Sequence, residues 1–203
     1  MSCTSMQPRM GKCAPPPNVL PTATLEDLVR YYKEHHDLHH QWDRECSFPE
    51  AVFGGSKVHP HQARIPKARL KEIADFLANH WNRDSFKDFE DLYEYVRSLL
   101  VQTPTNPNGI VKNPHALIIY DIAIRLVYKY GVWPEKYVYL NGSGPYEAAK
   151  ALGLGKFIKQ RKILYEDIIR NYPELAALDA AQLEDFLCIF HNRLNNFKKK
   201  VII

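Results

Sequence analysis

Apolar residues recur along most of this chain at intervals of three and four, the spacing that lines one face of an α-helix. Leu25, Leu28, Val29 and Tyr32 form the first stripe. Thr24 with Asp27 opens it, a hydroxyl placed to accept an orphan amide and an acid at the positive end of the helix dipole. Leu70, Ile73, Ala74, Leu77 and Trp81 form the second, with Pro66 at its first helical position. Ser85 with Asp88 predicts the start of a third helix, striped by Phe89, Leu92, Tyr93, Val96, Leu99 and Leu100. The most apolar helix runs from Asn113-Pro114 through Tyr130, and Gly131 is placed to end it. Its strongly charged residues, Asp121, Arg125 and Lys129, follow one another at single-turn spacing, which leaves the other sides apolar and predicts a central helix. Residues 156–171 read as a helix carrying Ile158, Ile163, Leu164, Ile168 and Ile169 among basic residues. Asp179 with Gln182 opens the last, which bears Leu183, Phe186, Leu187, Phe190, Leu194 and Phe197.

The intervals between these stripes lack a period. Residues 43–65 include Gly54-Gly55 and Pro60 and predict a long loop. Residues 103–113 are rich in Pro, Asn and Gly and predict turns. The Tyr-Val-Tyr run within 134–140 fits a strand as well as it fits a helix. Residues 1–21 mix basic residues with prolines and predict a disordered arm without the continuous apolar stretch of a secretory signal. The expected fold is all-α, a single domain over residues 22–203 with about eight helices around the central apolar one.

Composition narrows the class. A chain of 203 residues, 45% hydrophobic and 12% aromatic, is long enough to bury one sizeable core. No window approaches the roughly 18 consecutive apolar residues of a membrane span. Cysteines at positions 3, 13, 46 and 188 form no Cys-x-x-Cys pair, which points to a reducing, intracellular, cytoplasmic setting and away from a zinc ribbon. The net charge of +4 and pI near 8.8 permit a polyanionic partner without requiring one.

The most informative stretch is Leu140-Asn141-Gly142-Ser143-Gly144-Pro145-Tyr146-Glu147-Ala148-Ala149-Lys150-Ala151-Leu152. Glycines at 142 and 144 allow left-handed turn angles and close approach to an anion, and the first amides of a following helix point outward toward one. Ala148 permits tight helix contact, while Leu140 and Leu152 are placed as core anchors. Lys150, Lys156, Lys159, Arg161 and Lys162 make the following region basic, as phosphate contacts require, although a solvated helix face has the same composition. An ordinary connecting turn also accounts for a Gly-x-Gly ahead of a helix.

This spacing, over residues 140–152, resembles the helix-hairpin-helix motif of the DNA glycosylase superfamily and related repair proteins and implies such a hairpin over residues 134–152. The resemblance implies that Gly142, Ser143 and Gly144 contact the phosphates of duplex DNA. Members that cleave through a covalent imine carry a Lys where this chain has Tyr146, so the implied activity is a monofunctional N-glycosylase without lyase chemistry. Such members keep an acid further on, near Glu166 and Asp167, to stabilise a cationic sugar or position a water, and Tyr146 would line the pocket. Tyr137, Tyr139 and Trp133 supply further rings for stacking an extruded base. The four-cysteine iron-sulfur loop of many members is absent, so no cofactor is implied. The competing expectation is a non-catalytic helical protein–protein interaction module.

Three other constellations bear on chemistry. His35, His36, His39 and His40 place pairs one helical turn apart, with Asp43 as a third metal ligand, though exposed histidines fit the same run and no metal site is assigned. His59, His61, Gln62 and Arg64 concentrate hydrogen-bonding groups at the end of the long loop. Cys188 and His191 stand one turn apart, but Cys188 lies among core positions, where a thiol packs.

Overall fold

Helix α1, Leu25–His35, begins where the capping signal places it: the Thr24 hydroxyl accepts from the Asp27 N–H at 3.1 Å, and the Asp27 carboxylate accepts from the Thr24 N–H at 2.9 Å. The same reciprocal arrangement joins Asp179 and Gln182 at the start of the last helix. These contacts come from a computed structural model, which describes residues 23–38, 47–53, 65–111 and 116–197. The helices in chain order are α1, α2 (Phe48–Phe53), α3 (Lys67–His80), α4 (Phe89–Leu100), α5 (Ala116–Tyr130), α6 (Ser143–Ala151), α7 (Tyr165–Asn171) and α8 (Ala180–Phe190). Strands β1 (Tyr137–Tyr139) and β2 (Lys162–Leu164) form one antiparallel ladder. The fold is all-α, as the periodicity predicts, and the described residues cluster into two compact units.

The first unit holds α2 to α5. Its third-stripe helix starts at Phe89 rather than at Ser85, because Asp88 is the residue whose side chain accepts from the Asp91 N–H. Helix α5 packs on α2 and α4 and ends at Gly131, whose φ is +67°. Of its charged stripe, Asp121 and Arg125 are buried while Lys129 is exposed, and the Arg125 guanidinium donates to the Ala51 carbonyl at 2.7 Å. In the turn-rich segment after α4 one side chain closes the helix end. The Asn106 amide donates to the carbonyls of Ser98, Leu99 and Val101, taking up acceptors that the helix end leaves open. An aromatic group centred on Trp81 gathers Phe48, Phe86, Tyr95 and Tyr130 with ring centroids 4.8–5.8 Å from it, and Arg83 covers Phe86 and Tyr95.

The second unit joins α1 to everything after Pro134. Its core runs from Leu28 and Tyr32 through Val138, Leu140, Ala148, Leu152 and Ile163 to Phe186 and Phe190, all of them buried. The Tyr32 hydroxyl donates to the Asp185 carboxylate at 3.0 Å and accepts from the Leu38 N–H at 3.2 Å, and burial pushes its phenol far above the ordinary range. The Gln182 amide donates to Asp37 at 2.8 Å.

Residues 156–171 do not form the single helix that their apolar spacing suggests. A 3-10 turn, Leu154–Phe157, leads into a hairpin turn, then β2, and only Tyr165–Asn171 is α-helical. Ile163 pairs with Val138 on the core side of the ladder, so its burial satisfies a strand's period rather than a helix's.

Candidate nucleic-acid interface

The Gly-x-Gly stretch lies where β1 gives way to α6. A strand, not a helix, therefore precedes the glycines, and the first helix that a helix-hairpin-helix requires is absent from residues 134–142. Gly142 is the N-cap of α6 with φ −78° and ψ 159°, extended backbone open to any residue. Neither Gly142 nor Gly144 has a positive φ, so the expected left-handed turn is not what these positions need.

Gly144 has a different reason to lack a side chain. A Cβ there would stand 3.2 Å from the Cys188 sulfur and 3.4 Å from its Cα, because the start of α6 is pressed onto α8. Ala148, one turn on, is fully buried in the same unit, so small residues at 144 and 148 permit close helix packing. Leu140 and Leu152 are both fully buried, as core anchors should be. At the helix start, Pro145 is buried, Ser143 is exposed, and no side chain caps the first turn. The Asn141 side-chain nitrogen is buried without a hydrogen-bond partner among the described residues.

The basic residues assemble around this junction as a hairpin. Lys159 and Lys162 exchange both backbone hydrogen bonds at 2.9 and 3.0 Å, enclosing a two-residue turn of Gln160 and Arg161. Both turn residues are left-handed, with φ of +50° and +61°, the geometry of a tight hairpin that glycine or asparagine usually fills. The Arg161 carbonyl accepts from the Leu140 N–H at 2.7 Å, which fixes the turn beside the start of α6.

Arg161 is thereby set over Tyr146, its guanidinium carbon 4.0 Å from the ring centroid, and the Lys150 ammonium lies 5.3 Å from the same centroid. On the outer face of the ladder, Lys162 stands 4.4 Å from the Tyr137 ring and Lys136 stands 5.2 Å from it. Lys156 and Lys159 are exposed. Sequence reasoning missed Lys136 and the pairing of Tyr137 with Lys162. The alternation of Lys136-Tyr137-Val138-Tyr139 was the available signal, and Lys-Gln-Arg-Lys carries no turn-forming residue to reveal the hairpin.

The proposed catalytic acids do not join this group. The Asp167 carboxylate accepts from Arg170 at 3.0 Å and Glu166 is exposed. Among the described residues, no hydrogen bond, ion pair or ring contact joins either acid to Tyr146. Trp133 packs edge-on against Tyr128 in the first unit. His35 and His36 lie against Tyr31, with centroids 4.4 and 5.6 Å apart, and burial, with His35 beside it, lowers the His36 pKa. Among the described residues no group of three His, Cys, Asp or Glu could hold a metal. His39, His40, Asp43, the residues 59–64 and the arm 1–21 lie outside the described residues. His191 contacts the carbonyl of Cys188 at 2.8 Å. No helix among the described residues is long and apolar enough to cross a membrane.

No protein-family model, curated protein or solved structure matches this chain.

Proposed function

We propose that the segment 134–164 grips the phosphate backbone of a nucleic acid, DNA in the first instance, without chemistry on it. The observation that carries this is where the charge lies. Residues 134–164 hold six cations (Lys136, Lys150, Lys156, Lys159, Arg161 and Lys162) against two acids (Glu135 and Glu147), so the chain's whole net charge of +4 resides there. Elsewhere Arg30, Arg69, Arg83, Arg97 and Arg170 each pair with a nearby carboxylate. Among the described residues Lys136, Lys159, Arg161 and Lys162 form no such pair; Lys150 does, with Glu147 at 3.3 Å. Cations left without acids, and interleaved with aromatic rings, suit a polyanion that releases counterions when neutralised.

Binding of a labelled duplex, titrated against salt, tests this reading. Four phosphate contacts predict that log K falls with log salt at a slope of about −3 to −4, and replacing Lys159, Arg161 and Lys162 by Gln should flatten it by roughly two to three. Binding that ignores salt, or that survives the triple replacement unchanged, overturns the proposal and favours a protein partner instead.

A further inference from the structure

Arg161 has features that simple charge attraction does not require. The turn that carries it is built from two residues in left-handed backbone without a glycine, a conformation that costs an ordinary side chain free energy and persists only where the surroundings enforce it. Those surroundings are the paired bonds between Lys159 and Lys162 and the bond from the Leu140 N–H to the Arg161 carbonyl. The result fixes where a long, otherwise floppy side chain leaves the backbone.

The ring beneath it is equally fixed. Tyr146 is half-buried and packs against the core of the second unit on one side. Over it sits the Arg161 guanidinium at 4.0 Å. Arg161 itself is exposed and forms no ion pair with a carboxylate among the described residues. A guanidinium is planar, so a group lying on a ring keeps its second face and its N–H edge for something else. The Lys150 ammonium stands 5.3 Å from the centroid of the same ring and is paired with Glu147.

We infer that the Tyr146–Arg161 pair is a stacking platform for one unpaired nucleobase, and that the partner is accordingly single-stranded nucleic acid rather than closed duplex. This rests on the backbone-binding reading and sharpens it. Bases within a duplex have both faces covered by their neighbours, whereas a single strand offers a face to an aromatic ring or an arginine plane. Phosphates next to the stacked base then fall to the exposed cations of the same hairpin, Lys159 among them.

The test uses the full chain and two fluorescent probes of equal length, a mixed-sequence single-stranded DNA and a hairpin-closed duplex. A third probe carries the single strand's backbone with abasic sites. Wild-type protein should prefer the single strand. Arg161→Lys keeps the charge and loses the plane. It should weaken single-strand binding roughly 5- to 160-fold, the range for losing one stacked base. Its loss on the duplex should be at least several-fold smaller than its loss on the single strand, because the charge that meets phosphate is kept. The abasic probe should bind wild type and Arg161→Lys alike, and Tyr146→Leu should mimic Arg161→Lys if it folds. Equal loss on single strand and duplex, or no loss on either, overturns the platform while leaving backbone binding intact. Salt-dependent binding to none of the probes overturns both.

Discussion

The backbone of Gly144 lies against Cys188 closely enough that the methyl group of an alanine would stand 3.2 Å from the sulfur and 3.4 Å from the Cys188 Cα and carbonyl oxygen. The glycine is thus held by packing of α6 on α8. Gly144→Val should lower stability by about 1–3 kcal/mol in urea unfolding. Adding Cys188→Ala should restore part of it, because one of the three close atoms is removed. Full stability in Gly144→Val would show that the two helices are further apart than this. A charged residue at 144 is a poor probe of anion binding for the same reason, since it would disturb the fold first.

The hairpin turn sets stability against binding. Gln160→Asn and Arg161→Gly each place in the left-handed position a residue better suited to it, and each should raise stability by roughly 0.5–2 kcal/mol. Their effects on nucleic-acid affinity should differ: none for Gln160→Asn, a clear loss for Arg161→Gly. Thermal melts beside binding titrations decide this, and a destabilised Gln160→Asn would refute the assignment of strain to the turn.

Tyr32→Phe deletes a hydroxyl that serves two groups at once, the Asp185 carboxylate and the Leu38 N–H. Leaving buried polar groups short of a partner costs about 1–3 kcal/mol. The midpoint in urea should fall with the slope unchanged. A midpoint unmoved by this change would mean that water replaces the hydroxyl.

Asp91 predicts an acid-side dependence. The Arg83 guanidinium, at 2.7 Å, and then the Lys87 N–H hold its carboxyl below the ordinary range. A depressed folded-state value means that the unfolded chain binds the proton more readily, so the contribution is fully present above the unfolded value of about 3.9 and fades as pH falls through the folded one. The stability difference between wild type and Asp91→Asn should be flat above about pH 5 and shrink toward pH 2–3. Both partners are about one-third exposed, so the difference should be small and should weaken with salt. A difference that grows on acidification would contradict the pairing.

The helices with their own start signals were legible from sequence, because capping is local: Thr24 with Asp27 and Asp179 with Gln182 act within one turn of chain. Ile163 was misread because its partner, Val138, is remote in sequence, and a short apolar run does not declare whether it is strand or helix until that partner is known. The site was half legible. The cations of residues 150–162 were visible as composition, but the seating of Arg161 over Tyr146 depends on a turn whose residues carry no turn preference. Gly144 is crowded by a helix some forty positions later, and such a contact leaves no mark on the motif itself.

Tyr32 and Asp185 are separated by 153 positions, yet their contact helps seat α1 on α8. On a ribosome adding roughly 5–20 residues per second, α1 emerges about 8–30 s before α8, which supplies the Asp185 and Phe186 partners of Tyr32. Meanwhile the segments that make up the first unit are released without interruption and can condense ahead of it. A nascent chain stalled before α8 would therefore leave Tyr32 without its partners Asp185 and Phe186. That makes α1 the segment that chaperones would be expected to engage during synthesis.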